Sequence, residues 1–300
     1  MALLSLVALA ALLGGSVSEG QELPENAAAG SRKITVSKVR ALPQSCGTGV
    51  SGIAPHGDGL LLAPERGRRL SVWNGTNGAE CGSIPVEGIP AGFDQEALTL
   101  LDSGRVAIGT ESAGDAPIYL MDVGESKVTV ARKITVPWKA LGHRPGSNNG
   151  IEALCVADGS LVFALEIEAI DQGRRYAPLG ILDLETAEWR GARVGLSSKT
   201  GRISGMDCRS RNGKIEAIAI ERHFTDRRLL RFDIEQDSVS IEAEVLLDLE
   251  DVPEMRQANP EGLLWRGDTL QVVTDNQHGR LLHGPTLLLE LTFEPASRSE

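Results

Sequence analysis

Several signatures of common enzyme and binding classes are missing from this 300-residue chain. It has no Gly-x-Ser-x-Gly elbow, which argues against a serine hydrolase of the usual kind. It has no Cys-x-x-Cys pair and no His-rich spacing, so a cysteine-based metal site is not expected. Basic residues are in deficit, 30 against 41 acidic ones, and the formal net charge is −11. This balance argues against nucleic acid or an anionic membrane as a partner and is compatible with metal cations.

Long apolar runs are also scarce. Residues 1–18 contain an apolar stretch from Leu3 to Leu13 followed by small residues, which is typical of a secretory signal peptide. That stretch is too short for a permanent transmembrane helix, and no stable membrane span is expected. We therefore predict export to the periplasm or the extracellular space, a flexible segment over 19–32 and one domain over 33–295. An apolar N-terminal tail is the alternative to the signal peptide.

A short pattern does recur five times: Glu or Ser, then Gly or Ala, then an apolar residue, with an acidic residue further on. The pairs of opening and closing residues are Ser51/Glu65, Glu96/Glu111, Glu152/Glu166, Ser204/Glu221 and Glu261/Asp275. The midpoint of every pair falls on turn-forming residues such as Asp58, Gly159 and Gly213. Because residues equally far from a hairpin turn lie opposite each other, both members of a pair are expected at one open end of a hairpin.

The spacing of these repeats indicates a propeller. They recur at intervals of roughly 50 residues, the length of a four-stranded blade, and β-branched and aliphatic alternation dominates throughout. We predict an all-β protein, a β-propeller of five four-stranded blades. The last repeat has three strands, and the segment Lys33–Ala41 is predicted to supply the fourth and to close the ring. A sixth, degenerate blade and an open β-sandwich are the alternatives.

Four cysteines are present, and an even number in an exported chain indicates disulfides. Cys155 and Cys208 occupy near-equivalent places in adjacent repeats, and Cys46 and Cys81 bracket the first repeat. We therefore predict the pairs Cys46–Cys81 and Cys155–Cys208. The alternative is that some of the four remain free, buried thiols.

Closing the five hairpins into a ring brings their open ends together around one axis. Eight carboxylates then share one rim: Glu65, Glu96, Glu111, Glu152, Glu166, Glu221, Glu261 and Asp275. Like charges that approach closely raise each other's pKa, and bound cations are one way to neutralise them. Oxygen ligands in this number favour Ca²⁺, and we predict a calcium site formed by these residues. The alternative for any one acid is a structural hydrogen bond to the next blade.

Other polar residues are placed near the same rim. Arg66 and Arg222 directly follow closing acids, and they are candidates either for holding an anionic ligand or for ion pairs with the ring. The amides of Asn149, Asn259 and Asn276 are candidates for completing a cation shell or for binding substrate.

Taken as a set, these motifs resemble the phytase-like family, described as "esterase-like activity of phytase". The resemblance covers most of the chain and lies in the following segments: Asp94-Gln95-Glu96-Ala97-Leu98, Asn149-Gly150-Ile151-Glu152-Ala153-Leu154 and Asn259-Pro260-Glu261-Gly262-Leu263. It implies an exported β-propeller that hydrolyses phosphoric esters. In such an enzyme Glu96, Glu152, Glu166 and Glu261 would be calcium ligands, and Arg66 and Arg222 would act as catalytic residues.

The resemblance also implies a small anionic ester as substrate, and we expect a monomer. The chain departs from true β-propeller phytases because it is shorter, shows five repeats in place of six blades and lacks a cleft rich in Lys and Arg. Phytate itself is therefore not implied. Two alternatives stay open: a non-catalytic, calcium-stabilised binding propeller and a lactonase-like, calcium-dependent esterase.

Overall fold

The computed structural model describes residues 34–75, 80–92, 94–111, 115–143, 150–223, 226–276 and 284–293. The predicted signal peptide over 1–18, the flexible segment over 19–32 and the candidate Asn149 lie outside these ranges. Within them the chain is all-β, with 22 strands and three 3-10 helices at Gln44–Cys46, Leu249–Asp251 and Pro253–Met255. No helix in the described ranges is long and apolar enough to cross a membrane.

The strands follow one another in five antiparallel groups, which we number I to V. Group I contains β2 Val50–His56, β3 Gly59–Pro64, β4 Arg69–Trp73 and β5 Gly82–Glu87. Group II contains β6 Asp94–Asp102, β7 Arg105–Glu111, β8 Ile118–Val123 and β9 Val128–Ile134. Group III contains β10 Ile151–Ala157, β11 Ser160–Leu165, β12 Ala169–Asp171, β13 Arg174–Asp183 and β14 Trp189–Gly195.

The last two groups complete the sequence order. Group IV contains β15 Arg202–Arg211, β16 Lys214–His223, β17 Asp226–Ile234 and β19 Glu244–Asp248. The short strand β18 Ser240–Ile241 lies between β17 and β19 in the chain but pairs in parallel with β14 of group III, and β5 of group I pairs in parallel with β9 of group II. Group V contains β20 Asn259–Arg266, β21 Thr269–Asp275, β22 Leu287–Phe293 and the N-terminal strand β1 Ile34–Ala41. The N-terminal strand pairs antiparallel with β22, from Ile34 opposite Phe293 to Ala41 opposite Leu287.

Tight turns join the first two strands of each group, and all five predicted midpoints lie in them. At Asn212 and Gly213 both backbone φ angles are positive, 51° and 73°. Such angles suit the two-residue hairpin turns that match the twist of the strands, and Asn followed by Gly tolerates them best. The turns therefore fix one end of every hairpin, and the opening and closing residues lie at the other end.

The apolar residues form five cores, each between two neighbouring groups. Four of the cores join groups I to II, II to III, III to IV and IV to V, and the fifth joins V to I through Val273, Leu288 and Ile53. The first strands β2, β6, β10, β15 and β20 also pack against one another in that order, and β20 packs against β2. This arrangement is propeller-like and brings five hairpin ends to one face.

Both predicted disulfides are confirmed. Cys46 is bonded to Cys81 within group I, and Cys155 on β10 is bonded to Cys208 on β15. The second bond links the first strands of groups III and IV, so it joins two neighbouring groups covalently beside the axis.

Candidate metal centre

A β-bulge places each of the five opening residues. The pairing register shifts between the residues on either side of Ser51, Glu96, Glu152, Ser204 and Glu261. The opening and closing residues are therefore not directly opposite each other as the sequence pattern predicts. Glu111, for example, pairs with Asp94, and Asp275 pairs with Asn259. A bulge adds one residue that has no partner on the opposite strand and turns its side chain in a new direction. This explains how a first strand can carry an acidic side chain at the open end of its hairpin.

The two residues after each opening position explain the rest of the repeated tripeptide. The second residue is small because the first strands approach closely: a Cβ on Gly205 would lie 1.8 Å from the carbonyl oxygen of Glu261. The third residues are apolar, buried and lie together on the axis: Ile53, Leu98, Leu154, Met206 and Leu263. The cavity lined by these five residues and by the opening residues Ser51, Glu152 and Glu261 measures about 10 Å³, so this layer blocks the channel beneath the rim.

Two groups of three acids meet at the rim, and each has ligand oxygens within 4.8 Å of one another. The first, which we call site A, consists of Glu65 from group I with Asp94 and Glu96 from group II. The second, site B, consists of Glu111 from group II with Glu152 and Glu166 from group III. Five of these six acids are predicted ligands. Asp94 was not predicted, although its position two residues before Glu96 on the same strand was a usable signal.

Burial and mutual repulsion disfavour the ionised forms of these acids. Burial, followed by the charges of Glu152, Glu65 and Glu111, holds the pKa of Glu96 well above its ordinary value. Burial and the charges of Glu166, Glu261 and Glu111 do the same to the pKa of Glu152. For Glu111, burial together with Glu166, Asp94 and Glu65 raises the pKa to about 7. Such shifts mark a place where negative charge is uncompensated by the protein itself.

Group V holds its acids differently, because an arginine lies beside them. Arg222, mostly buried, forms an ion pair with Oε1 of Glu261. The same oxygen accepts a hydrogen bond of 2.8 Å from Nδ2 of Asn259, which also lies 3.3 Å from Oδ2 of Asp275. Burial raises the pKa of Glu261 to about 8 against the opposing effect of Arg222. Burial acts to lower the pKa of Arg222, yet Glu261, Glu152 and Glu166 raise it.

Glu221 lies apart from both acid groups. It is fully buried, and its two carboxylate oxygens accept four hydrogen bonds, from the amides of Ser197 and Ser198 at 3.0 and 2.9 Å and from their hydroxyls. These bonds tie the segment before β15 to the end of β16. These hydrogen bonds give Glu221 a structural role, and its role as a metal ligand stays a prediction.

The two opening serines link neighbouring groups. Ser51 Oγ donates a hydrogen bond of 2.5 Å to the carbonyl oxygen of Gln95, and Ser204 Oγ donates one of 3.0 Å to the carbonyl oxygen of Pro260. Gln95 and Pro260 both directly precede an opening Glu. Each serine therefore holds the start of the bulge in the next group.

The protein family of this chain is known from its sequence. The family described as "Phytase-like: Esterase-like activity of phytase" matches residues 79–278, which is most of the 300-residue chain. The chain belongs to the phytase-like family. No curated protein is significantly similar to it in sequence.

Solved structures resemble this phytase-like protein in fold. Glutaminyl cyclase from Myxococcus xanthus is 13% identical, with a TM-score of 0.55, and the match covers 88% of this chain and 98% of that one. A calcium-binding protein, regucalcin, from Agrobacterium tumefaciens is 15% identical over 87% of this chain and 97% of that one, with a TM-score of 0.44. At such identities the first likeness shows a shared propeller-type fold and nothing about activity.

The remaining predicted residues of the phytase-like chain lie at the edge of the rim. Arg66 is exposed and lies 3.2 Å from Oε1 of its neighbour Glu65. Asn276 accepts a hydrogen bond of 3.1 Å from the amide of Gly49 and lies 3.4 Å from the carbonyl oxygen of Gly284. Asn259 and Asn276 are thus engaged within the chain, and a substrate-binding role for them stays a prediction.

The donor sets of sites A and B fit a hard divalent cation. Each offers three carboxylates from two neighbouring groups, and carboxylate oxygens are the ligands that Ca²⁺ prefers. Glu96 and Glu152 are 8% and 6% exposed, and burial together with the charges of neighbouring acids raises the pKa of each. Buried carboxylates that lie close together are costly to ionise, so a bound cation would relieve both sites.

Proposed function

We propose that this protein is an exported, calcium-dependent hydrolase of phosphoric esters that acts at the acidic mouth of a five-bladed propeller. The observation that carries the proposal is the combination at one rim of two groups of three converging acids and a largely buried arginine. Family membership supports hydrolysis, since the family is described by an esterase-like activity of phytase. The two disulfides support export, because such bonds persist in oxidising compartments.

We infer five blades closed by the N-terminal strand. Five apolar cores separate the groups, including one between V and I. β1 completes a four-stranded sheet in group V, in the order β1-β22-β21-β20. This pairing protects the edge of β22, which supports the N-terminal strand as the closing element.

Different side chains at the rim would have different roles in hydrolysis. Glu65, Glu96, Glu111, Glu152 and Glu166 would hold calcium, which supplies neutralisation of substrate phosphate and a more acidic bound water. Arg222, fixed by Glu261, would present its positive charge to the anionic ester and to the charge that develops on it. The apolar layer of Ile53, Leu98, Leu154, Met206 and Leu263 beneath the rim excludes a route through the channel, so substrate would approach from the rim side.

A phosphatase assay tests this function. We expect the purified chain to release phosphate from a panel of phosphomonoesters in the presence of calcium, with p-nitrophenyl phosphate as the first probe. EDTA should abolish turnover, and calcium should restore it. Glu152→Gln should lower kcat/KM at least about tenfold, since it removes a buried charged ligand from site B.

The matched control is Glu125→Gln, which changes an exposed acid in the β8–β9 connection, away from the rim. It should retain full activity. Turnover that is unchanged in Glu152→Gln, or that is insensitive to EDTA, would show that the rim is not the site of hydrolysis.

One observation favours a second candidate, a calcium-stabilised propeller without catalysis. The cavity on the axis, which Ser51, Glu152 and Glu261 help to line, measures about 10 Å³, close to the space that a single water needs. In that case calcium would raise Tm while no phosphoric ester is cleaved. Cleavage of lactones alone, in a parallel panel, would indicate the lactonase-like alternative.

A further inference from the structure

A cleft lies between groups III and IV at the turn end of the hairpins, opposite the rim. Asp158 and Ser160 at the first turn of group III line it together with Gly213 and Lys214 at the first turn of group IV. It is a cavity of about 340 Å³, which is within the range of sites that bind small molecules. The calcium chemistry proposed for the rim does not involve this cleft, so an inference about it goes beyond the proposed function.

Part of the surface of the cleft is apolar. It is formed by Ile181, Ile215 and Ile234, which are buried and belong to the core between groups III and IV. These three residues lie on the strands β13, β16 and β17, so the surface is held by the sheets and not by loops. An aliphatic group of a ligand would be removed from water on this surface, which favours binding.

Arg190 is the charged residue of the cleft that lacks an internal partner. It lies on β14 opposite Ile181 of β13, so both side chains lie on the same face of the sheet. Its Nη1 atom is buried and has no hydrogen-bond partner, and the guanidinium forms no hydrogen bond or ion pair among the described residues. Burial lowers the pKa of Arg190 against the opposing charge of Asp237, which is exposed. An unsatisfied, partly desolvated guanidinium is costly, and an anionic ligand would relieve it.

The other charged residues that line the cleft are engaged or exposed. Oδ1 of Asp183 accepts hydrogen bonds of 2.9 and 2.8 Å from two backbone amides of the turn that follows it. Asp158 accepts a hydrogen bond from a serine hydroxyl of β15, and Lys214 forms an ion pair of 2.5 Å with Glu235. Glu188 is exposed to water, which screens its charge. The charge in this cleft that needs a partner is therefore the positive one of Arg190.

We propose that this cleft binds a small carboxylate with an aliphatic group, the carboxylate on Arg190 and the aliphatic group on the three isoleucines. A guanidinium carries N–H donors in a planar fork that matches the two oxygens of a carboxylate. One guanidinium neutralises one negative charge, and the exposed acids Asp158 and Glu188 repel a second one. These charges favour a carboxylate over a phosphate monoester, which carries nearly two negative charges at neutral pH.

Three probes of the same length and different charge test the proposal: hexanoate, the neutral hexanamide and the cation hexylamine. Hexanoate should bind the full chain saturably in a calorimetric titration and raise its Tm, since a ligand of the folded state stabilises it. Hexanamide should bind at least about tenfold more weakly, the difference expected for hydrogen bonds between charged groups. Binding of hexylamine in preference to hexanoate would show that the acids of the cleft decide its ligand and would overturn the proposal.

Substitutions of Arg190 locate the bound carboxylate. Arg190→Met keeps an unbranched side chain without the charge, and it should weaken hexanoate binding at least about tenfold. Arg190→Lys keeps the charge without the fork and should recover part of the affinity. The matched control is Arg132→Met, which changes an exposed arginine on β9 and should bind hexanoate like the unaltered chain.

Stability and phosphatase activity separate this site from other roles. Arg190→Met should not lower the Tm of the ligand-free chain, because the guanidinium has no internal partner to lose. Its phosphatase activity should equal that of Arg132→Met, since the cleft lies at the end opposite the rim, so this proposal and the proposed function can each fail alone. Equal hexanoate affinity in Arg190→Met and Arg132→Met would overturn the proposal, as would the absence of saturable hexanoate binding to the unaltered chain.

Discussion

The two halves of the rim differ in how the negative charge of their acids is compensated. Where groups I, II and III meet, six acids gather, and burial and mutual repulsion raise the pKa values of Glu96, Glu111 and Glu152. Where groups IV and V meet, every predicted acid has a partner: Glu221 has two serines, Glu261 has Arg222 and Asp275 has Asn259. Acidic residues at equivalent repeat positions are therefore not equivalent sites, because the partners around each carboxylate decide what it can bind.

This difference indicates which half of the rim needs bound metal ions or protons to neutralise its acids. In the half formed by IV and V, folding alone brings a positive charge to the buried acid. In the half formed by I to III, folding concentrates negative charge and leaves its neutralisation to protons or to metal ions. Experiments that remove the internal cation, the external cation or a shared hydrogen bond should affect the halves unequally.

The largest effect is expected from Arg222→Met. This change leaves Glu261 buried, beside Asp275 and near Glu166, without its ion-pair partner. Breaking a buried ion pair in this way costs about 3–5 kcal/mol, and the free energy of unfolding in urea should fall by that amount above the pKa of about 8 of Glu261, where this carboxylate is ionised in the unaltered chain. The double variant Arg222→Met/Glu261→Gln should recover most of the loss, since it removes the unpaired charge. Equal stability of the single and double variants would show that Arg222 does not serve Glu261.

A smaller effect is expected from pH in the calcium-free protein. The folded-state pKa values of Glu111, about 7, and Glu261, about 8, are raised above ordinary values near 4.5. The folded state therefore holds protons that the unfolded state has released, and the contribution of these two groups to stability is greatest below about pH 4.5 and falls as pH rises toward 8. Because Glu111 is half-exposed and Glu261 is paired with Arg222, the full shifts overstate the loss, and we expect Tm to fall by several degrees between pH 5 and pH 8.

Calcium supplies the control for this pH series. Saturating Ca²⁺ should flatten the decline contributed by Glu111 in site B, because the metal favours the ionised carboxylate. The part contributed by Glu261 should persist. A calcium-free Tm that rises between pH 5 and 8 would contradict the sign of these shifts.

The hairpins and the rim could be predicted from the sequence because turn chemistry is local. Asn212-Gly213 and its counterparts fix where each hairpin reverses, and counting outward from them finds both strand ends. The disulfide between Cys155 and Cys208 follows from the same repeat, since equivalent positions on adjacent first strands lie close together.

Counting outward from the turns could not predict the bulges. A bulge inserts one residue without altering the apolar alternation enough to reveal it, so Glu111 was matched to Glu96 and pairs with Asp94 instead. The glycines at 52, 205 and 262, each inside a strand, were the available signal. The pairing of Arg222 with Glu261 joins residues 39 positions apart in neighbouring groups, and no local pattern encodes such a contact.

The smallest expected effect comes from the two serines, which make the same bond on opposite halves of the rim. Ser51→Ala and Ser204→Ala should each lower the free energy of unfolding by about 1 kcal/mol, because each leaves the carbonyl of Gln95 or Pro260 without its hydrogen bond. Only Ser51→Ala should also weaken calcium binding several-fold in a titration. Gln95 lies between Asp94 and Glu96, so holding its carbonyl would position two acids of site A, whereas Pro260 precedes an acid held by Arg222. Equal calcium affinity in both variants would show that the two halves of the rim do not differ in what these serines support.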